Sequence, residues 1–314
     1  MNQMMPSWLL PEPPSLSGVP LRPMSVGEIL NGSFTLIRRS PGTILGLNLI
    51  MLTASAVVGA LGGVLASRFH DGWLLLIALA ADSAIITVAL GAVTATAGRG
   101  ILGRKVGLGE AIRLGRPGWA LLAIALVDLI HGAIWTFVGL GGFGPLIILG
   151  FLASAWLGLT LSFTLPAVVL ERLHPGRAIV RSWRLVLSRF WRVLGLYALV
   201  GLVAYLSYIA MIFPLEILFV IFGLPLLGSE SRSLPVLLLI GAIGLVLVVI
   251  VVFSVLTALV VCAQVLIYAD VRMRREGLDL VLLPIAASAA LTGNEFALVS
   301  SAPPTGRAPI GGAA

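Results

Sequence analysis

The chain has 314 residues, 59% of them hydrophobic and only 11% charged, with a mean hydropathy of +1.10. That much apolar surface exceeds what a soluble core of this length needs and excludes an ordinary water-soluble domain. The net charge of +7 comes from 20 Lys and Arg against 13 Asp and Glu. Arginines beside anionic headgroups account for it, so no nucleic-acid partner is implied.

Residues 1–20 lack a basic region ahead of an apolar one, and Trp8-Leu9-Leu10 is interrupted by Pro11, Pro13 and Pro14. This stretch reads as a disordered tail, not a signal peptide. Six apolar runs follow, at about 42–66, 73–97, 119–140, 144–168, 193–222 and 235–268. A helix crosses about 30 Å of hydrocarbon with roughly 20 residues, so each run qualifies as a span. Residues 284–314, rich in Ala, Ser, Pro and Gly, read as a second disordered tail. The expectation is an all-α polytopic membrane domain of six transmembrane helices over 21–283.

All but two of the basic residues lie in the tails or in alternate gaps. Arg22, Arg38 and Arg39 precede the first run. Arg99, Arg104, Lys105, Arg113 and Arg116 separate the second from the third. Arg172, Arg177, Arg181, Arg184, Arg189 and Arg192 separate the fourth from the fifth, and Arg272, Arg274, Arg275 and Arg307 follow the sixth. Arg68 and Arg232 alone occupy the other gaps. Basic residues near a span are retained on the inner side, which predicts an inner (plasma) membrane protein with both termini cytoplasmic. The sixth run would be about 50 Å of helix and must tilt or project, with Tyr268-Ala-Asp270-Val-Arg272 at its inner end. Pro214 is expected to kink or end the fifth span, leaving Glu216 at the outer interface.

The segments ahead of the odd-numbered runs resemble one another. They read Ser25-Val-Gly27-Glu28-Ile29, Gly107-Leu-Gly109-Glu110-Ala111 and His174-Pro-Gly176-Arg177-Ala178. In the third, Ile179, Trp183, Val186 and Phe190 recur at helical spacing, with Arg177, Arg181 and Arg184 opposite and Arg189 flanking. Such a helix would lie in the headgroup plane with its arginines toward lipid phosphate, making these four the headgroup candidates. The alternative is that inner loops of membrane proteins are commonly Arg-rich and partly amphipathic. Three units of surface helix plus transmembrane hairpin are expected. Gly59-x-x-x-Gly63 permits close helix approach, although a chain with 36 glycines produces such a pattern by chance.

Three stretches carry a family resemblance: Leu21-Arg22-Pro23-Met24-Ser25-Val26-Gly27-Glu28-Ile29-Leu30, then Pro166 to Glu171 with Ser182-Trp183-Arg184 and Phe190-Trp191-Arg192, then Tyr268 to Asp279. Through them the chain resembles actinobacterial integral membrane proteins of the glycerophosphoryl diester phosphodiesterase membrane domain family. The resemblance spans residues 21–279. It implies a membrane segment that accompanies a phosphodiesterase in some proteins, and does not imply that the segment itself catalyses anything.

The residues give the same answer on catalysis. Phosphodiester hydrolysis needs histidine acid/base groups and acidic metal ligands converging on one phosphate. The three histidines, His70, His131 and His174, fall outside, within and inside the membrane, and no acid cluster accompanies His70 or His174. No Walker-type Gly-Lys-Ser/Thr exists, and the lone cysteine, Cys262, lies within an apolar run. No metal or cofactor is expected. Within the spans, Asp82, Asp128 and His131 stand out, with Asp128 and His131 one turn apart on the third. A central Asp costs about 2.5–3.5 kcal/mol on insertion scales, so such groups are functional candidates. They would form a proton or cation site, or bind across helices as a protonated Asp and a neutral His, aided by Asn48, Thr160, Thr257 or Gln264.

The expected function is therefore that of a non-catalytic membrane protein, an accessory or scaffold subunit. Its basic surface helices would contact anionic phospholipid or a membrane-protein partner. The alternative is a transporter of a small or lipidic solute coupled through Asp82, Asp128 and His131, with an enzyme's membrane domain as the third reading.

Overall fold

The computed structural model describes residues 22–69, 72–141, 144–218 and 234–278. The two expected tails, His70 and Arg232 lie outside these residues. Among the described residues there are ten helices and no strand. They are α1 (Val26–Arg39), α2 (Pro41–Phe69), α3 (Gly72–Ile101), α4 (Leu108–Leu114), α5 (Pro117–Gly141), α6 (Gly144–Leu161), α7 (Thr164–Leu170), α8 (Pro175–Ser188), α9 (Phe190–Leu218) and α10 (Leu234–Glu276). Six stretches are long and apolar enough to cross a membrane, one for each predicted run. Large apolar side chains stand outward along them, Leu129, Phe137 and Phe151 being 69%, 70% and 65% exposed. In water such a surface would aggregate; hydrocarbon solvates it.

The chain repeats one motif three times: a surface helix, a tight corner, then two spans. The N-caps of the surface helices are Ser25, Gly107 and His174. Their carbonyls accept from Ile29, Ala111 and Ala178 at 3.1, 2.8 and 2.9 Å, and all three of those side chains are fully buried. At the corners, the carbonyls of Ser40, Arg116 and Arg189 accept from Ile44, Ala120 and Val193 at 3.0, 2.9 and 3.0 Å. The same two bonds recur in all three units, although α4 has 7 residues where α1 and α8 each have 14. Arg116 turns its corner with φ of 50°, the left-handed region. The corner below α4 also presses backbone on backbone. A Cβ on Gly115 would lie 2.7 Å from the Ala92 nitrogen, so only glycine lets α4 seat on α3.

The basic ends of the helices gather at one end of the bundle, with α10 as the central post. It packs against α1, α2, α3 and α9. From Ala258 to Met273 it is buried on nearly every side, mainly apolar as far as Ala269 and then carrying buried Asp270 and Arg272. Both ends of the described chain meet here, since Met24 lies against Asp270.

Three expectations change and one, at Pro214, narrows. The fourth span is broken, α6 ending at Leu161 and α7 beginning at Thr164, because Pro166 has no N–H for the Ser162 carbonyl. The fifth continues through Pro214 to Leu218, so that proline does not end it. Gly59 and Gly63 meet nothing within 4 Å; close approach falls instead at Gly62, packed on Ala78 of α3. Finally, α8 buries Ala178, Ser182, Leu185 and Val186 against the bundle, while Ile179 and Trp183 are only half-buried. The protein, not the headgroup layer, takes its apolar face, because α5, α6 and α7 all pack against it.

Candidate functional site

The polar chemistry of the chain concentrates at the basic end, where the last two turns of α10 present two opposite faces. Helical spacing puts Tyr268, Arg272 and Glu276 on one face, with Asp270 and Arg274 about half a turn away.

On the first face, Glu171, at the end of the fourth span, is 3% exposed and Arg272 is fully buried. The Glu171 carboxylate accepts the Tyr268 hydroxyl and lies 3.4 Å from Arg272 Nε and 3.2 Å from Arg181 Nε. Arg181 then reaches Glu276 at 2.6 Å, and Arg272 donates to Glu276 at 3.0 Å. Arg272 also stacks over the Tyr268 ring, 5.7 Å from its centroid. Two carboxylates and two guanidiniums thus close a neutral circuit. Burial opposes the charge on Arg181, but Glu171 and Glu276 more than offset this and hold its proton affinity above the usual arginine value.

On the second face, buried Asp270 accepts the Met24 N–H at 2.8 Å and contacts Arg192 at 3.0 Å and Arg274 at 2.9 Å. Both guanidiniums return to the Met24 carbonyl at 2.9 Å. The entry to α1 is thereby fixed. Ser25 and Glu28 complete it as a capping box, Glu28 accepting the Ser25 N–H at 2.6 Å. That bond, the Ser25 hydroxyl and nearby Arg22 hold the Glu28 carboxyl below its ordinary range.

The headgroup candidates divide. Arg181 is a correction: its guanidinium is engaged by Glu171 and Glu276. Arg177, Arg184 and Arg189 are exposed and form no ion pair among the described residues. Exposed Arg275 joins them, donating to the Arg184 carbonyl at 2.8 Å. A positive patch runs along the seam of α8 and α10, with its nearby acids already engaged.

The intramembrane trio is not brought into one hydrogen-bonded cluster. Asp128 accepts from Ser83 of α3 at 3.1 Å. His131 turns to α6, with Nε2 3.4 Å from the Ser154 carbonyl and Nδ1 3.0 Å from Val127 O. One oxygen of Asp82, Oδ1, is buried without a hydrogen-bond partner.

The break in the fourth span is a polar site the sequence reading did not anticipate. Gln264 of α10 donates to the Ser162 carbonyl, supplying the bond Pro166 cannot. Ser182 of α8 donates to Thr160 O at 2.7 Å and accepts from Phe163 N at 3.1 Å. Pro166 was the readable signal. Beside it, Arg116 caps α7 by donating to Val168 O at 3.0 Å.

Six apolar spans, a repeated surface-helix motif and polar side chains confined mainly to one end define an integral, multi-pass helical membrane protein. The chain belongs to the family described as the membrane domain of glycerophosphoryl diester phosphodiesterase, whose model matches residues 140–296, half of the sequence. The side chains of both ion clusters on α10 fall within that range. No curated protein and no solved structure gives a significant match.

Proposed function

We propose that this chain is a non-catalytic accessory or scaffold subunit of the inner (plasma) membrane, with its basic end in the cytoplasm. Through that end it holds anionic phospholipid or an acidic partner. One observation carries the reading. The acids Glu171, Asp270 and Glu276 are engaged by Arg181, Arg192, Arg272 and Arg274, while Arg177, Arg184 and Arg275 remain exposed without an acid. Buried and fully bonded groups act as structure; unpaired surface guanidiniums are the ones available to an outside anion. Cytoplasmic placement follows from retention of basic residues on the inner side.

The test is purification of the full chain in mild detergent beside an Arg177→Gln, Arg184→Gln, Arg275→Gln triple variant. Loss of co-purifying anionic lipid or protein from the variant supports the proposal. Identical cargo on both, or none on either, overturns it.

Transport is the second reading, favoured by the unpartnered Asp82 Oδ1 and the Ser83–Asp128 bond between the second and third spans. It requires Asp128→Asn to abolish pH-gradient-driven uptake into vesicles without lowering thermal stability. A variant that is merely less stable assigns Asp128 to helix packing.

A further inference from the structure

We infer that the groove beneath α4 is a seat for an anionic phospholipid, one acyl chain lying between α2 and α3 and the phosphate resting on Arg113 of α4 and Lys105 just ahead of it. The groove is about 430 Å³, with an almost wholly apolar lining that includes Leu47, Met51 and Ala54 of α2, Ala84 and Val88 of α3, and Ile112 of α4. It lies within two membrane-spanning stretches, so hydrocarbon is the solvent that fills it.

The geometry of α4 identifies the headgroup end. Ala111 is fully buried against the bundle, while Leu108 and Ile112, one turn apart, are 43% and 40% exposed, and Ile112 reaches into the groove. Its polar residues, Glu110 and Arg113, are exposed, as is Lys105 just ahead of the helix. Arg113 and Lys105 form no ion pair among the described residues, and Glu110 leaves them a net positive charge. A helix with one face in protein, one toward hydrocarbon and one polar lies in the headgroup plane. Arg113 directly follows Ile112, which lines the slot, and a cation next to an apolar slot matches a lipid with a negative headgroup and a long chain. A neutral lipid would use the slot alone.

This inference rests on the reading that the basic end engages anionic lipid, but places a site on α4, apart from the α8–α10 patch. The experiment is native mass spectrometry of the full chain titrated with dioleoyl phosphatidylglycerol or dioleoyl phosphatidylcholine. Wild type is expected to bind phosphatidylglycerol more tightly. Arg113→Gln should lower that affinity about fivefold, the worth of one cation near the surface, and leave phosphatidylcholine unchanged. Ala54→Trp, which fills the slot, should weaken both lipids.

If Arg113→Gln binds both lipids as wild type does, the α4 seat is wrong. In that case loss of phosphatidylglycerol from the Arg177, Arg184 and Arg275 variant would leave the broader reading standing. Equal binding of the two lipids by every form overturns both the α4 seat and the anionic-lipid form of the broader reading. Because Arg113 is exposed and unpaired, its replacement tests the site without disturbing the fold.

Discussion

Asp270 accepts the backbone N–H of Met24 at 2.8 Å, joining residues 246 positions apart in the chain. The same carboxylate holds Arg192 at the start of α9 and Arg274 one turn on along α10. One buried acid thus ties the first surface helix, the fifth span and the sixth. Its partners are about 30% exposed, so the arrangement closes the basic end while its outer edge remains in contact with solvent.

Asp270→Asn removes the charge and keeps the shape. Two guanidiniums then lack their shared anion, and the variant should lose about 2–4 kcal/mol, seen as a lowered unfolding midpoint by tryptophan fluorescence in mild detergent. Protection of α1 amides against hydrogen exchange should fall with it. An unchanged midpoint would mean that this acid does not hold the end together.

The glycines of α4 should respond in opposite directions. Gly115→Ala drives a methyl into the α3 backbone at Gly91 and Ala92, which cannot move aside, and should cost roughly 1–3 kcal/mol. Gly109 meets nothing within 4 Å, so Gly109→Ala should be neutral or stabilising by up to about 1 kcal/mol. Equal effects on the unfolding midpoint would contradict the close seating of α4 on α3.

The broken fourth span makes a coupled prediction. In wild type, Gln264→Leu leaves the Ser162 carbonyl without a donor and should cost roughly 0.6–2 kcal/mol. In a Pro166→Ala background the backbone again has an N–H four residues on, so the same change should cost distinctly less. A double-mutant cycle on thermal stability reads the difference. Equal costs would sever the link between Pro166 and Gln264.

Sidedness is checked with Cys262 as the silent background, since it is fully buried. Arg113→Cys and Arg177→Cys should label from one side of sealed vesicles, and Phe69→Cys, at the far end of α2, from the other. Labelling of Arg113→Cys and Arg177→Cys from opposite sides would dismantle the topology.

Much of this architecture was legible because bilayer crossing imposes long apolar runs and basic residues mark one side. Apolar run length gave the six spans, and the similar segments ahead of the odd-numbered runs gave the surface-helix units. What escaped was pairing across the bundle. Tyr268, Arg272 and Glu276 recur at i, i+4, as do Asp270 and Arg274, so both faces of α10 were readable. That one face meets Glu171 and the other Met24 is tertiary, and no local pattern encodes it. For the same reason the Ile179, Trp183, Val186 and Phe190 stripe was only partly right: Val186 is buried, but α8 packs on three helices rather than a flat lipid surface, which moves the rest of its buried face round to Ala178, Ser182 and Leu185.

The central claim is that paired charges at the basic end build the structure while the unpaired arginines meet an outside anion. Its most direct measurement compares two full-length variants, Asp270→Asn and the Arg177, Arg184, Arg275 triple glutamine form, for unfolding midpoint and for co-purifying anionic lipid or protein. Asp270→Asn should unfold at lower temperature with its cargo per folded molecule unchanged, and the triple variant should keep its midpoint while losing cargo. A triple variant that retains its cargo, or loses it only in proportion to lost stability, would contradict this division of roles.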